Sequence, residues 1–305
     1  MEKQHYRLAT IVVNYKTNER TVKYVKEELS KCSLEQIIVV VNNSATEQST
    51  NFLLDGMNAI RVDDISKSVS SKRSVYVIHN PQNSGYAIGN NIGVHFLAQH
   101  FYVDNLLISN NDIVFKDNDV IESLLCKLNE LPQVAVIGPN ILGLDGHSQS
   151  PYRYFGFWHE MFWIPLERFV PFVKMQHFDH DQAVEGFYHH VMGCFFIIRF
   201  SDYIKCGMMD EKTFLFYEEA ILADRLAKNG KREYYIPTVK VLHDHGLSMK
   251  KISNKGKNKN YMLESGLYYY KNYHNVSRVS IFICKVIREL VDFCIYFYRK
   301  NKRVM

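Results

Sequence analysis

What this sequence lacks narrows its reading early. It has no stretch of about 18 apolar residues, so no membrane-crossing helix is expected. The amino terminus, MEKQHYRLATIVVNY, is polar and then a short strand; without a long apolar h-region, no secretory leader is expected. An excess of one charge is also missing. The net value is only +5, which argues against a dedicated nucleic-acid binder. The six cysteines, at 32, 126, 194, 206, 284 and 294, include no pair at metal-ligand spacing. Several lie in apolar runs, so they read as reduced core residues of a cytosolic protein. No internal repeat is present.

What is there is an ordinary globular composition. The 305 residues are 47% hydrophobic and 23% charged, enough for a full core and a second small lobe. Positive charge is concentrated late, in MKKISNKGKNKNY (249–261) and YRKNKRVM (298–305).

The first half alternates strand and helix patterns. LATIVVNY (8–15) is an unbroken apolar run, as a central parallel strand requires. NERTVKYVKEELSKC (18–32) has helical spacing, with Val22, Val25 and Leu29 on one side. Strands follow at 36–44, 74–80, 105–112 and 134–141, with helices at 87–100 and 119–131. Such alternation predicts a three-layer α/β sandwich around a mainly parallel sheet. Ligands of such sheets sit beyond the carboxyl ends of the strands. Asn14, Asn42–Asn43, Asn80–Asn83 and Asn110–Asp112 all follow strands, so they are expected along one edge.

The second half is less regular. Residues 150–175 are packed with aromatics and show no clean period. VMGCFFIIRFSDYIKCG (191–207) reads as a buried strand followed by a turn or helix. FLFYEEAILADRLAKNG (214–230) reads as a helix closed by Asn229–Gly230, and REYYIPTVKVLHDHG (232–246) as two short strands broken by Pro237.

Four blocks then line up: VVVNNSA (39–45), NSGYAIGNNIG (83–93), LLISNNDIVF (106–115) and the long run 192–248. Their order, spacing and content resemble family 2 glycosyltransferases of the GT-A fold, closest to the bacterial rhamnosyltransferase-like branch that builds surface polysaccharides. The resemblance covers residues 8 to about 250 and implies a GT-A domain there. Residues 251–305 would be a basic loop and helical extension.

The resemblance implies an inverting transfer from a nucleotide-diphosphate sugar to a saccharide or lipid-linked acceptor, with Mg2+ or Mn2+ on the diphosphate. A cation lowers the cost of charge growing on the leaving group, and it takes hard oxygen ligands. Asp112 stands where the family has the last acid of Asp-x-Asp or Asn-x-Asp; here the block is Asn110-Asn111-Asp112. His243, ending its strand, is the implied second ligand, with His245 close by. Glu219 takes the place of the acid that serves as base, with Glu218 as its neighbour at the start of a helix. Carboxylates are electrostatically favoured there. The motif's third acid is replaced by Ile221, while Asp224 and Arg225 keep its end. Asp210 and Glu211 resemble the segment that supports the catalytic loop.

For the donor, the implied contacts are Asn14, Tyr15, Asn42 (where the family usually has Asp), Asn83, Gly85, Tyr86, Asn90, Asn91 and Asn111. Gly193 would let backbone pass close to the donor sugar or acceptor. Asn and Gly are equally the ordinary residues of turns, and only their convergence on one edge argues for binding. No enzyme nucleophile is evident, which suits direct attack.

The C-terminal stretch is amphipathic, with apolar Ile281, Ile283, Val286, Ile287, Leu290, Phe293 and Ile295 and basic punctuation. It reads as a peripheral membrane contact on the inner face, or as a helix packed on the domain or in a homodimer. The NKGKNKN segment (254–260) reads as a loop that closes over the diphosphate or is simply solvated. Two rivals stand beside the transferase: a nucleotide-sugar binding protein with reduced catalysis, motivated by Asn42, Asn110 and Ile221 in place of acids, and a nucleotidyltransferase. The latter lacks the glycine- and lysine-rich loop near the first strand.

Overall fold

The computed structural model describes residues 3–67, 74–164, 177–244 and 255–302. The strands are β1 (Gln4–Asn14), β2 (Gln36–Asn43), β3 (Ile60–Val62), β4 (Val75–Asn80), β5 (Phe101–Ser109), β6 (Ile113–Phe115), β7 (Val134–Leu142), β8 (Gly186–Tyr188), β9 (Phe195–Arg199) and β10 (Arg232–His243). The helices are α1 (Asn18–Lys23), α2 (Glu47–Met57), α3 (Gly85–His100), α4 (Val120–Glu130), α5 (Phe200–Lys205), α6 (Glu218–Lys228), α7 (Lys255–Tyr273) and α8 (Arg278–Lys302). α1 runs on through tighter and wider turns to Lys31.

All ten strands form one mixed sheet, ordered β3-β4-β2-β1-β5-β9-β7-β10-β6, with β8 paired to β10. β1, β2, β3, β4 and β5 are mutually parallel, as are β7 and β10; β9 runs antiparallel between β5 and β7. Apolar strands with both faces covered suit this arrangement. In β2, Ile38 and Val40 pack into one core layer, while Ile37, Val39 and Val41 pack into the other. That alternation is the two-residue period of a strand. A third cluster joins Phe157, Met161, Ala220 and Ile221 to Leu267, Tyr269, Tyr270 and Cys284. It fastens α7 and α8 to the sheet domain.

The α/β sandwich expected from the alternation is present, with differences that have local causes. α2 and β3 went unread, because α2 has only Thr50, Leu53 and Met57 as buried positions and β3 is three residues long. Residues 105–112 are not one strand: β5 ends at Ser109, and β6 crosses to the far side of the sheet beside β10. β10 is one strand rather than two. Pro237 falls in an irregularity between Ile236 and Lys240, where a missing N–H is tolerated. Residues 255–260 are the first turns of α7, not a loop over the diphosphate. α6 starts at Glu218 rather than 214, because Phe216 and Tyr217 have φ of 72° and 66°, outside any right-handed helix. Among the described cysteines, Cys194 and Cys284 are buried, Cys32 and Cys206 are half-buried and Cys126 is exposed, so the core reading holds for two of these five.

Candidate active site

The polar strand tips do gather on one edge, bonded to each other. Asn14 Nδ2 donates to Asn42 Oδ1 (2.9 Å) and Asn18 Oδ1 (2.8 Å). Its Oδ1 accepts from Thr21 (2.8 Å) and Thr17 (3.3 Å). Those four bonds exhaust an amide side chain, and Asn14 is fully buried. Asn42 gives both amide protons to Ser49 and Thr50. Asn111 Nδ2 donates to Thr17 (2.7 Å) and Thr21 (2.6 Å). These three amides are therefore committed to holding β1, β2 and the turn after β5 in register. These bonds leave Asn14 no free donor or acceptor, and Asn42 and Asn111 no free amide proton.

The turn that Asn111 anchors presents Asp112. Its Oδ1 lies 3.3 Å from His243 Nε2, at the end of β10. Both side chains are buried. The other imidazole nitrogen, Nδ1, is 3.0 Å from Gln149 Oε1. Gln149 Oε1 can only accept, so Nδ1 is the donor in that bond, which fixes the ring with Nε2 facing the carboxylate. The carboxylate and the imidazole thus face each other across 3.3 Å at the rim of the sheet. The backbone holds the pair in place, with Asp244 N–H donating to Asp112 O at 2.8 Å. Arg20 in turn binds both the carboxylate and the carbonyl of Asp244.

Glu219 approaches the same edge from α6. Its carboxyl packs onto Gly193, where a Cβ would lie 1.9 Å from Oε1. Burial raises the Glu219 carboxyl above its ordinary range, partly offset by N–H groups of Glu219 itself and Gly193. Glu218 lies deeper; burial, then the neighbouring Glu219, raises it well above the usual carboxylate range. Cys194 joins the two acidic centres. Its carbonyl accepts from Asn110 N–H at 2.8 Å, and its thiol is raised by burial, then by Asp112 and Glu219. The left-handed pair Phe216–Tyr217 delivers both glutamates. Such residues cost of order 1–3 kcal/mol each and cluster at functional sites. α7 supports the strained turn: Ser265 Oγ donates to Leu215 O, and Tyr217 packs on Tyr269.

No protein-family model matches the chain. Curated relatives include an N-acetylglucosaminyl-diphospho-decaprenol L-rhamnosyltransferase of Mycobacterium tuberculosis, 26% identical over 148 residues, 46% of this chain and 47% of that one. Another is the low-salt glycan biosynthesis hexosyltransferase Agl10 of Haloferax volcanii, 23% identical over 220 residues, 70% of this chain and 59% of that one. The chain thus spans about half the length of the first of these. Among solved structures, S. aureus TarS 1–349 in complex with UDP has a TM-score of 0.54 at 12% identity, covering 90% of this chain and 68% of that one. The mannosyltransferase PcManGT of Pyrobaculum calidifontis, in complex with GDP-Man and Mn2+, has a TM-score of 0.50 at 12% identity, covering 79% and 58%. The chain has the GT-A fold that these solved structures share.

Within this GT-A chain the remaining sequence-read residues fall into two groups. Tyr86 stands at the site: its hydroxyl donates to Gly193 O at 2.8 Å, on the residue that seats Glu219. Asn90 is buried one turn on, donating to Tyr86 O, with no hydrogen bond to its Oδ1. Tyr15 is half-buried, with Lys16 over its ring. Asn83 is exposed, its carbonyl oxygen closing the turn onto Gly85 N–H. Gly85, at φ 85°, is required by the Phe214 carbonyl, which a Cβ would meet at 2.4 Å. Gly193 likewise accommodates the Glu219 carboxyl, which fills the space a side chain would take. Asn91 is a tether, bonded to Met209 O and Glu211.

Ile221, where an acid was expected, is fully buried in the cluster under α7. Asp210 receives Tyr268 (2.9 Å) and Tyr273 (2.6 Å) and pairs with Arg225 (3.2 Å), tying the segment before α6 to α7. Burial would raise its carboxyl, but these donors and the Lys212 N–H hold it below the usual range. His245 lies outside the described residues.

Asp112 and His243 could hold a divalent cation, since oxygen plus imidazole suits Mn2+ and leaves positions for phosphate oxygens and water. Among the described residues no three acidic, histidine or cysteine side chains converge as a closed metal cage. An open two-ligand site fits a cation shared with substrate. Gln149 went unread because nothing local in GHSQSPY marks it; only folding brings it to His243.

Proposed function

We propose that this chain is an inverting, metal-dependent glycosyltransferase. It would move a sugar from a nucleotide diphosphate to a hydroxyl of a saccharide or lipid-linked acceptor, at the cytoplasmic side of surface polysaccharide synthesis. The Asp112–His243 contact, with Gln149 fixing the imidazole ring, is the observation that carries the reading. The names of the curated relatives, and the GDP-Man and Mn2+ of one structural neighbour, support it. Residues 1–250 would be the catalytic domain and 251–305 an extension that braces it.

A divalent cation at Asp112 and His243 would neutralise charge on the departing diphosphate. Glu219, ionised and seated on Gly193, accepts the acceptor's hydroxyl proton. The acceptor oxygen bonds to the anomeric carbon as the bond to the phosphate oxygen breaks, so configuration inverts and no covalent enzyme intermediate forms. Tyr86 and Cys194 fix the backbone on either side of Gly193. The buried amides Asn14, Asn42 and Asn111 keep Asp112 in place.

The test is a screen of UDP-, GDP- and dTDP-sugars, with and without Mn2+, read by thermal shift and nucleoside diphosphate release. Asp112→Asn and Glu219→Gln should lose turnover while melting as the parent does. Normal turnover in both would reject the assignment. Tight donor binding without transfer to any acceptor would make the protein a binding module instead.

A further inference from the structure

α8 has two faces. Cys284 is fully buried, its thiol 3.7 Å from Met161 O, and seats the helix on the third core cluster. Roughly opposite on the helix, Val279, Phe282, Val286 and Leu290 are 67%, 67%, 37% and 58% exposed. Their spacing of three, four and four residues makes one apolar stripe. The same turn that packs on α8 carries the chain's only two tryptophans, Trp158 and Trp163, and both are exposed. Two separate segments thus present large apolar groups to solvent.

Charge decides what covers them. Residues 278–305 hold seven basic residues, Arg278, Lys285, Arg288, Arg299, Lys300, Lys302 and Arg303, against two acidic, Glu289 and Asp292. The surplus of five equals the net charge of the entire chain. A second copy of this surface would set two positive segments against each other. A bilayer with anionic headgroups would instead attract the charge and receive the apolar stripe. Tryptophan, apolar in body with one polar N–H, favours that boundary. No described helix is long and apolar enough to cross a membrane, so α8 would lie in the surface.

We propose that the α8 stripe and the Trp158–Trp163 turn form a docking surface for an anionic membrane, holding the catalytic edge within reach of a lipid-linked acceptor. The purpose rests on the transferase reading; the binding itself does not.

The experiment uses the full chain with vesicles of phosphatidylcholine, alone or with phosphatidylglycerol. Flotation should recover the protein only with the anionic vesicles, and tryptophan emission should shift to the blue and be quenched by brominated acyl chains. Phe282→Glu with Leu290→Glu should weaken partition about tenfold or more and abolish the shift, with transfer to a water-soluble acceptor unchanged. Glu219→Gln should float like the parent, so a failed catalytic assignment is distinguishable from failed docking. Absence of flotation, or a dimer in light scattering that the double variant splits, would overturn the proposal.

Discussion

Gly193 and Glu219 occupy adjoining space so closely that a single methyl on the glycine would lie 1.9 Å from Glu219 Oε1. The position of the carboxyl, the base of the proposed transfer, therefore depends on a side chain that is absent. Gly193→Ala should displace it. We expect kcat to fall by about 10²-fold or more, the scale of losing a placed base, with donor KM little changed. Steady-state kinetics with the donor varied checks this; unchanged kcat would remove the packing from the mechanism.

Gln149 should matter to metal binding without touching the metal. It holds His243 Nδ1 at 3.0 Å, and loss of such a support typically costs about 10–100-fold in affinity. Mn2+ titration of Gln149→Ala should show that loss, and Asp112→Asn a larger one. Equal affinity in the parent and Gln149→Ala would mean the imidazole is oriented by something else.

Glu219 must be ionised to accept a proton. Burial raises its carboxyl, so the acid limb of kcat/KM should lie above the ordinary glutamate value of about 4.3. Activity should rise with pH through that limb. A pH–rate profile flat down to about pH 4.5 would point to another base.

Stability should carry the opposite slope. Glu233 is buried in β10, accepts the Val191 N–H at 2.8 Å, and is raised well above its usual range by burial. The folded state then holds a proton that the unfolded state releases. Stability from this group is full below the unfolded value of about 4.3 and is lost as pH rises toward the folded value, at up to about 1.4 kcal/mol per unit. Glu233→Gln should flatten that decline in urea unfolding between pH 5 and 8. An unaltered slope would show that Glu233 is not its source.

Asn14 separates positioning from donor contact. Asn14→Ala orphans partners on β2 and α1, and each unsatisfied buried group costs about 1–3 kcal/mol. Unfolding should show that loss, while donor affinity should change far less than in Asp112→Asn. A donor-affinity loss without destabilisation would restore the direct contact.

The alternation of strands and helices, the edge to which Asn14, Asn42 and Asp112 belong, and the acids at the head of α6 could all be read from the chain. Apolar runs, caps and strand-end polar residues are local patterns, and hydrophobic burial enforces them wherever the chain folds. Local pattern could not distinguish amides that bind a ligand from amides that bind one another. That depends on partners 28 residues apart for Asn14 and Asn42, and 94 apart for Asn111 and Thr17. The same holds for Gln149 on His243, for Glu219 against Gly193, and for the left-handed turn at Phe216–Tyr217 that α7 stabilises. Sequence alone settled which groups stand at the rim of the sheet, because period and polarity are properties of neighbours along the chain. Tertiary structure alone decided which of them are spent on one another, because hydrogen-bond saturation and steric fit are properties of neighbours in space.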